Sequence, residues 1–410
     1  MQIKPYTGLS IDGFVVGERL HKGGFATIWD VTHPDHKIPM IMKVPTITDG
    51  FDGPTIVGFE VEQMIMPRLS GPHVPKAIAI GDFAVMPYIV CERIKGESLS
   101  KYFNGVPCSC NDAIALIARM AQAVHELHRQ HVIHLDLKPA NLMRRAGRLV
   151  VIDFGLSRHG HLPDLLAEEF EIPMGTYPYI APEQILRQRD DLRSDIFAIG
   201  AMLYELVTGR PPFGRPQRLS DAKPRLWQRA IPPRALVPEC PSWLQEIILR
   251  ALETDPKDRY QSAAQFLFDL RHPEQIIITE RGRDLSVDSF FTKLKRWWRG
   301  RTIERFDPPS PMSTQIDRAP IIMVAVDLSP EMETLADRLL LSARRMLIIQ
   351  PDARIACANV VKTKRLGLDS ALDAEGNHIH VTRLVALRDW ASRLDLPEDR
   401  VTCAILEGAE

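Results

Sequence analysis

The chain has 410 residues, with 51 lysines and arginines against 52 aspartates and glutamates. That length exceeds a single core, so two domains are expected, and the balanced charge excludes a global field that would recruit nucleic acid. Six cysteines in so long a chain exclude a disulfide framework, and Cys108 and Cys110 lack the second pair a zinc site needs.

In chain order, residues 14–44 alternate apolar and polar around Gly23-Gly24, which predicts strands joined by a glycine turn. Residues 55–69 carry a helical period with Glu62, Met66 and Leu69 on one face. Ala84–Arg93 reads as a strand. Asp112 reads as the N-cap of a helix over 113–130, whose apolar positions include Ile117, Met120 and Val124. Residues 149–153 form a short apolar strand. From 183 to 271 the pattern is helical, broken by proline-rich loops at 211–216 and 231–241. The most apolar stretch, Ile196 to Tyr204, is too short to span a bilayer and reads as a buried helix. Residues 272–318 hold a basic aromatic segment, 290–301, and then a proline-rich linker. Beyond it, strands at Ile321–Val326, Arg354–Ala358 and Val401–Leu406 alternate with helices at Glu331–Leu347 and Leu384–Leu394, which predicts a parallel sheet. The N-terminus has no apolar signal core, and reduced cysteines suit a cytoplasmic protein.

Residues 134–141 read His-Leu-Asp-Leu-Lys-Pro-Ala-Asn, and Asp153-Phe154-Gly155 follows at a fixed distance. Phosphoryl transfer needs an acceptor hydroxyl held in line and phosphate charge neutralised by metal ions. Asp136 can accept the hydroxyl proton, Lys138 can steady the γ-phosphate, and Asn141 and Asp153 can hold Mg²⁺ or Mn²⁺.

With these motifs the chain resembles the eukaryotic-like Ser/Thr protein kinases found in bacteria, over about residues 12–271. The resemblance implies a bilobal α+β kinase fold for residues 1–271, strand-rich to about 93 and helical after, with ATP as phosphoryl donor. Leu20-His21-Lys22-Gly23-Gly24-Phe25-Ala26-Thr27-Ile28 matches the glycine-rich loop. Only the middle family glycine stands, at Gly23; Gly24 is an addition, and Leu20 and Ile28 flank the nucleotide. Lys43 matches the phosphate-binding lysine, paired with Glu62 or, as the alternative, Glu60. Cys91 matches the residue behind the adenine, with the backbones of Glu92 and Ile94 bonding the base. Gly175-Thr176 opens the substrate loop. Glu183 is expected to pair with Arg259, and Asp195 to brace the catalytic loop.

Leu135 departs from the family, which usually has arginine there to bind a phosphate on the activation segment. From Arg158 to Gly175 there is no Ser, Thr or Tyr, but Asp164, Glu168, Glu169 and Glu171 are present. A kinase not switched on by phosphorylation of that segment is therefore expected. The alternative is a non-catalytic scaffold.

Ile321-Ile322-Met323-Val324-Ala325-Val326-Asp327 resembles the first strand and turn of the universal stress proteins. That resemblance implies an incomplete α/β parallel-sheet module over 319–410, with self-association through it as a partner expectation. Residues 290–301 read either as a helix on an anionic membrane or as one packing its aromatics against a neighbouring domain, and the second reading is preferred. The expected partner is a protein bearing a Ser or Thr acceptor, and no nucleic acid.

Overall fold

The computed structural model describes residues 4–24, 26–46, 53–286, 298, 305–307, 321–349, 353–363, 379–397 and 400–409. The chain opens with β1 (Ser10–Ile11), β2 (Phe14–Lys22), β3 (Ala26–His33) and β4 (His36–Pro45), then α1 (Gly53–Ile65), β5 (Ala77–Ile80) and β6 (Ile89–Glu92). The six strands form one antiparallel sheet in the order β1-β2-β3-β4-β6-β5. Alternation along β4 gives the sheet two faces. Met40, Met42 and Val44 pack with Phe14, Val16, Trp29 and Val31 in one core cluster. Ile41 turns to the other side, where the main core includes Phe59 and Ile65 of α1.

One expectation fails here, and one strand carried no sequence signal. The strand expected over Ala84–Arg93 is confined to Ile89–Glu92. Its first half is a turn, in which the Asp82 side chain accepts from the Ala84 N–H at 2.8 Å and its carbonyl accepts from the Val85 N–H at 3.2 Å. Strand β5 was not read at all, since four small or apolar residues without alternation carry no strand signal.

The helical lobe follows with β7 (Glu97–Ser98), α2 (Cys110–His128), β8 (Val132–Ile133), β9 (Leu142–Arg145), β10 (Arg148–Val151) and β11 (Arg158–His159). After these come α3 (Pro182–Ile185), α4 (Arg193–Thr208), α5 (Ser242–Ala251) and α6 (Ala263–Arg271). The N-cap of α2 is Ser109, not Asp112. Ser109 Oγ accepts from the Asp112 N–H at 3.1 Å and donates to the Asp112 carboxylate at 2.6 Å, so Asp112 sits at the third helical position of a reciprocal cap. Helix α4 is buried from Ser194 to Val207, as its apolar run predicts. It crosses α5 closely at Gly200, where a Cβ would come within 2.6 Å of Ala251 Cβ.

Glu183 and Arg259 form a two-pronged pair at 2.8 and 2.7 Å, each about 1% exposed. Ser194 Oγ donates to Glu183 at 2.6 Å, and the remaining Arg259 protons go to the carbonyls of Glu253, Arg193 and Thr254. A buried pair with every proton placed is costly to break from one side.

The C-terminal part contains β12 (Ile321–Ala325), α7 (Glu333–Ile349), β13 (Arg354–Thr363), α8 (Ile379–Ser392) and β14 (Val401–Ala409). Its strands are parallel in the order β12-β13-β14, as the sequence alternation predicts, over a separate core that includes Val324, Leu340, Ile355 and Trp390. Arg354, which opens β13, forms a buried ion pair with Asp269 of α6. In the basic aromatic segment, Phe290, Phe291, Leu294 and Trp297 lie outside the described residues, and Trp298 is exposed. Among the described residues no helix is long and apolar enough to cross a membrane.

Replacing Arg259 by Met strands the Glu183 carboxylate, and urea unfolding of that variant is expected to give about 3–5 kcal/mol less stability. A second expectation concerns His159 on β11, whose imidazole is pushed down from 6.5 to about 4 by burial and by neighbouring His161 and Arg68. The unfolded chain then binds more protons than the folded one between those values, so this contribution is complete above pH 6.5 and is lost as pH falls towards 4. Melting temperature measured across that range is expected to drop less in His159→Gln than in the parent chain.

Candidate active site

Strand β4 and helix α1 meet at Lys43 and Glu62. The Lys43 ammonium lies 2.5 Å from Glu62 Oε2 and 2.8 Å from Asp153 Oδ1. Glu62 is buried and Glu60 is exposed, so the geometry selects Glu62 as the partner. Burial alone would depress the ammonium, but the two carboxylates outweigh it and hold the lysine charged well above its ordinary range. Burial also raises the Glu62 carboxyl, against the pull of Lys43. At Asp153 the same lysine overcomes burial and lowers the carboxyl. Helix α1 comes this close because residue 58 is glycine. A Cβ there would lie 3.0 Å from the Gly155 carbonyl oxygen.

The catalytic loop hangs from one carboxylate. Asp195 accepts from the backbone N–H groups of His134 at 2.8 Å and Leu135 at 2.9 Å, and from His128 Nε2 at 2.9 Å. Leu135 has φ +62°, in the left-handed region, and Gln184 Nε2 donates to its carbonyl at 2.8 Å. Both backbone groups of the strained residue are thus fixed. Its side chain is buried in the main core, so it offers nothing to an anion. Asp153 has φ +67° as well, while Phe154 beside it is buried with its ring centroid 5.5 Å from that of His134.

Asp136 is the meeting point. Thr176 donates to its Oδ1 through Oγ1 at 2.6 Å and through its N–H at 2.8 Å. Lys138 Nζ lies 2.7 Å from Oδ2 and 3.2 Å from Thr176 Oγ1. Asn141 Nδ2 donates to the Asp136 carbonyl at 3.0 Å and to Oδ2 at 3.3 Å. The carboxylate therefore holds a hydroxyl on one oxygen and a cation on the other. Asn141 commits its amide nitrogen to Asp136, which leaves its oxygen as the group able to ligate. Asp153 is 44% exposed on its side chain and leaves Oδ2 outside the Lys43 contact. One carboxylate and one amide oxygen are hard donors that suit Mg²⁺ or Mn²⁺ completed by phosphate and water. Among the described residues no group of three His, Cys, Asp or Glu forms a self-sufficient metal site.

In the glycine loop, the Gly23 N–H donates to the Ala26 carbonyl at 2.9 Å, and a Cβ on Gly23 would meet that oxygen at 3.3 Å. Gly24 faces open space, Leu20 is exposed, and Ile28 is in register with Lys43 across β3 and β4. On β6, Cys91 is buried, with its thiol pushed up to about 12 by burial. The Glu92 N–H bonds the Lys76 carbonyl at 2.9 Å, and the Glu92 carboxylate pairs with Arg145 at 2.7 Å; Ile94 is buried next to them. Gly175 has φ +139°, which suits glycine immediately before Thr176.

Sequence reasoning noticed Asp164 only as one of several acids. Its carboxylate lies 3.6 Å from Arg158 and 3.1 Å from Arg189, and it caps the short helix Leu165–Glu169. Arg189 also donates to the Leu156 carbonyl at 3.0 Å, tying the segment back to the residue after Gly155. Arg225 was missed entirely. It is 1% exposed and donates to the carbonyls of Tyr177, Ile180 and Ala222, with its guanidinium 5.2 Å above the Phe213 ring centroid. A lone arginine in an aperiodic stretch carries no signal of burial.

A family model described as the protein kinase domain matches residues 14–269. The probable serine/threonine-protein kinase PknB of Lactococcus lactis is 29% identical over 267 residues, covering 63% of this chain and 42% of that protein. The serine/threonine-protein kinase PknB of Mycobacterium tuberculosis is 36% identical over 187 residues, covering 45% of this chain and 30% of that one. The chain thus spans less than half the length of these relatives. The crystal structure of the Mycobacterium tuberculosis PknI kinase domain superposes with a TM-score of 0.51 at 22% identity, over 66% of this chain and all of that one, a likeness of fold. The chain therefore belongs to the protein kinase family, and its matched region is similar to kinase domains of the bacterial serine/threonine type.

Proposed function

We propose that the protein is an ATP-dependent serine/threonine kinase whose activation segment is ordered without phosphorylation. The observation that carries the reading is the hydroxyl of Thr176 seated on Asp136 at 2.6 Å, bridged by Lys138. A Ser or Thr hydroxyl of a protein substrate presented at the same carboxylate gives up its proton to Asp136. Its oxygen then bonds the γ-phosphorus while the bond to the departing diphosphate oxygen breaks. Lys138 and Lys43 hold phosphate oxygens, and Glu62 fixes Lys43. Gly23, Gly24, Leu20 and Ile28 cover the nucleotide, with the backbones of Glu92 and Ile94 taking the adenine. Asn141 and Asp153 would hold magnesium or manganese, which supplies charge neutralisation on the phosphates. Gly175 and Thr176 open the substrate loop, while Asp195, Glu183 and Arg259 brace it and the catalytic loop. Nothing in this arrangement favours the scaffold alternative.

The reading that the segment needs no phosphate is supported by three features together. Leu135 is buried, residues 158–175 contain no Ser, Thr or Tyr, and Asp164 already supplies an anion to Arg158 and Arg189. We also read residues 319–410 as part of a universal stress protein-like module through which the chain self-associates, by sequence resemblance supported by the three parallel strands. A cytoplasmic location is part of the same reading.

Transfer of labelled phosphate from ATP, followed by mapping of the modified residues, tests the function. Asp136→Asn is expected to lower kcat by about 10²–10⁴-fold. Asp153→Asn is expected to abolish transfer, as is chelation by EDTA, with Mg²⁺ or Mn²⁺ restoring the EDTA-treated protein. Undiminished incorporation in both variants would overturn the assignment. For the segment, Asp164→Ala is expected to cost about tenfold in kcat/KM, and Asp164→Glu to recover most of it. Equal activity in Asp164→Ala and the parent would count against a built-in anion.

A further inference from the structure

The segment beyond the matched kinase region reaches back to the wall of the substrate loop at Phe306. Phe306 is 9% exposed and packs with Ile180, Ile185, Ala222 and Leu226. The Gln188 side chain grips its backbone at two points. The Phe306 N–H donates to Gln188 Oε1 at 3.0 Å, and Gln188 Nε2 donates to the Phe306 carbonyl at 3.2 Å. A pocket that takes the ring and an amide that pairs with both backbone groups together recognise this one residue.

The wall of that pocket is the substrate loop. The Ile180 N–H donates to the Thr176 carbonyl at 3.0 Å, and the Ile180 carbonyl accepts from Arg225. Arg225 holds the Tyr177 carbonyl as well, at 2.7 Å, and its neighbour Leu226 touches Phe306. Thr176 is the residue on Asp136. A continuous run of contacts therefore passes from Phe306 through Ile180 to Thr176 and the carboxylate at the centre of the site. Because the interior is close-packed, an emptied pocket next to Ile180 frees the loop that Ile180 anchors.

We propose that Phe306 is a positioning residue for phosphoryl transfer: the segment after the kinase domain seats this ring behind the substrate loop and so sets the loop's order for the protein acceptor. The proposal rests on the kinase reading above. It places control of the acceptor site in a segment that also leads to the C-terminal module.

The test uses the full chain with Phe306→Ala, Phe306→Leu and the parent, with myelin basic protein as acceptor. Phe306→Ala is expected to raise KM for the acceptor about tenfold while KM for ATP stays at the parent value, and Phe306→Leu is expected to return most of the loss. A fluorescent peptide of residues 301–311 is expected to bind Phe306→Ala, whose pocket is empty, and not the parent, whose pocket is filled. Addition of that peptide is expected to lower the acceptor KM of Phe306→Ala. An acceptor KM unchanged in Phe306→Ala, or a loss shared equally by the ATP and acceptor constants, would overturn the positioning role. Equal peptide binding by variant and parent would overturn the pocket itself. If the parent transfers no phosphate at all, the kinase reading fails, and the peptide arm still decides whether the pocket recognises this segment.

Discussion

One partly buried cation joins the parts of this protein that matter for its chemistry. Lys43 comes from the sheet, Glu62 from α1 and Asp153 from the loop that enters the helical lobe, and the three meet within 2.8 Å. The ammonium is held charged by the carboxylates beside it, and the buried Glu62 carboxylate is tolerated because the ammonium is there. Moving α1 outward would part Glu62 from Lys43. The position of the helix, the direction of β4 and the conformation at Asp153 are therefore one linked choice. Gly58 makes that choice sterically open by letting α1 lie against Gly155.

A similar economy holds the catalytic loop. Leu135 and Asp153 both sit in the left-handed region, where a side chain costs on the order of 1–3 kcal/mol. Asp195 and Gln184 hold the first, and Lys43 engages the second. Strain at these two points turns the backbone so that Asp136 and Asp153 enter the same space from different segments.

What was legible in the sequence was what short spacing encodes. Asp136, Lys138 and Asn141 lie within one octapeptide, and the loop that contains them can have few shapes, so their meeting follows from their order. The helical periods of α1, α2 and α4 and the parallel alternation after residue 320 were visible for the same reason. The cap at Ser109 was misplaced by three residues because Asp112, an equally good capping residue, takes part in the same reciprocal bond. Contacts between distant loops had no such signature. Arg189 meets Asp164 across 25 positions, and Gln188 meets Phe306 across 118. Neither pair repeats at any period, and each residue alone reads as a solvated polar group or a stray aromatic. The burial of Arg225 was equally hidden, since its partners are carbonyls, which every residue has.

Asp164 between Arg158 and Arg189 has a consequence for how such a protein keeps time. A phosphate ester on an activation segment is a record: one enzyme writes it, another erases it, and between those events the molecule remembers. A carboxylate encoded in the chain is written once, at translation, and no hydrolase can remove it. Molecules of this protein made years or seconds apart carry the same mark on that loop. Between residues 158 and 175, where no Ser, Thr or Tyr stands, no phosphate ester can add to that record.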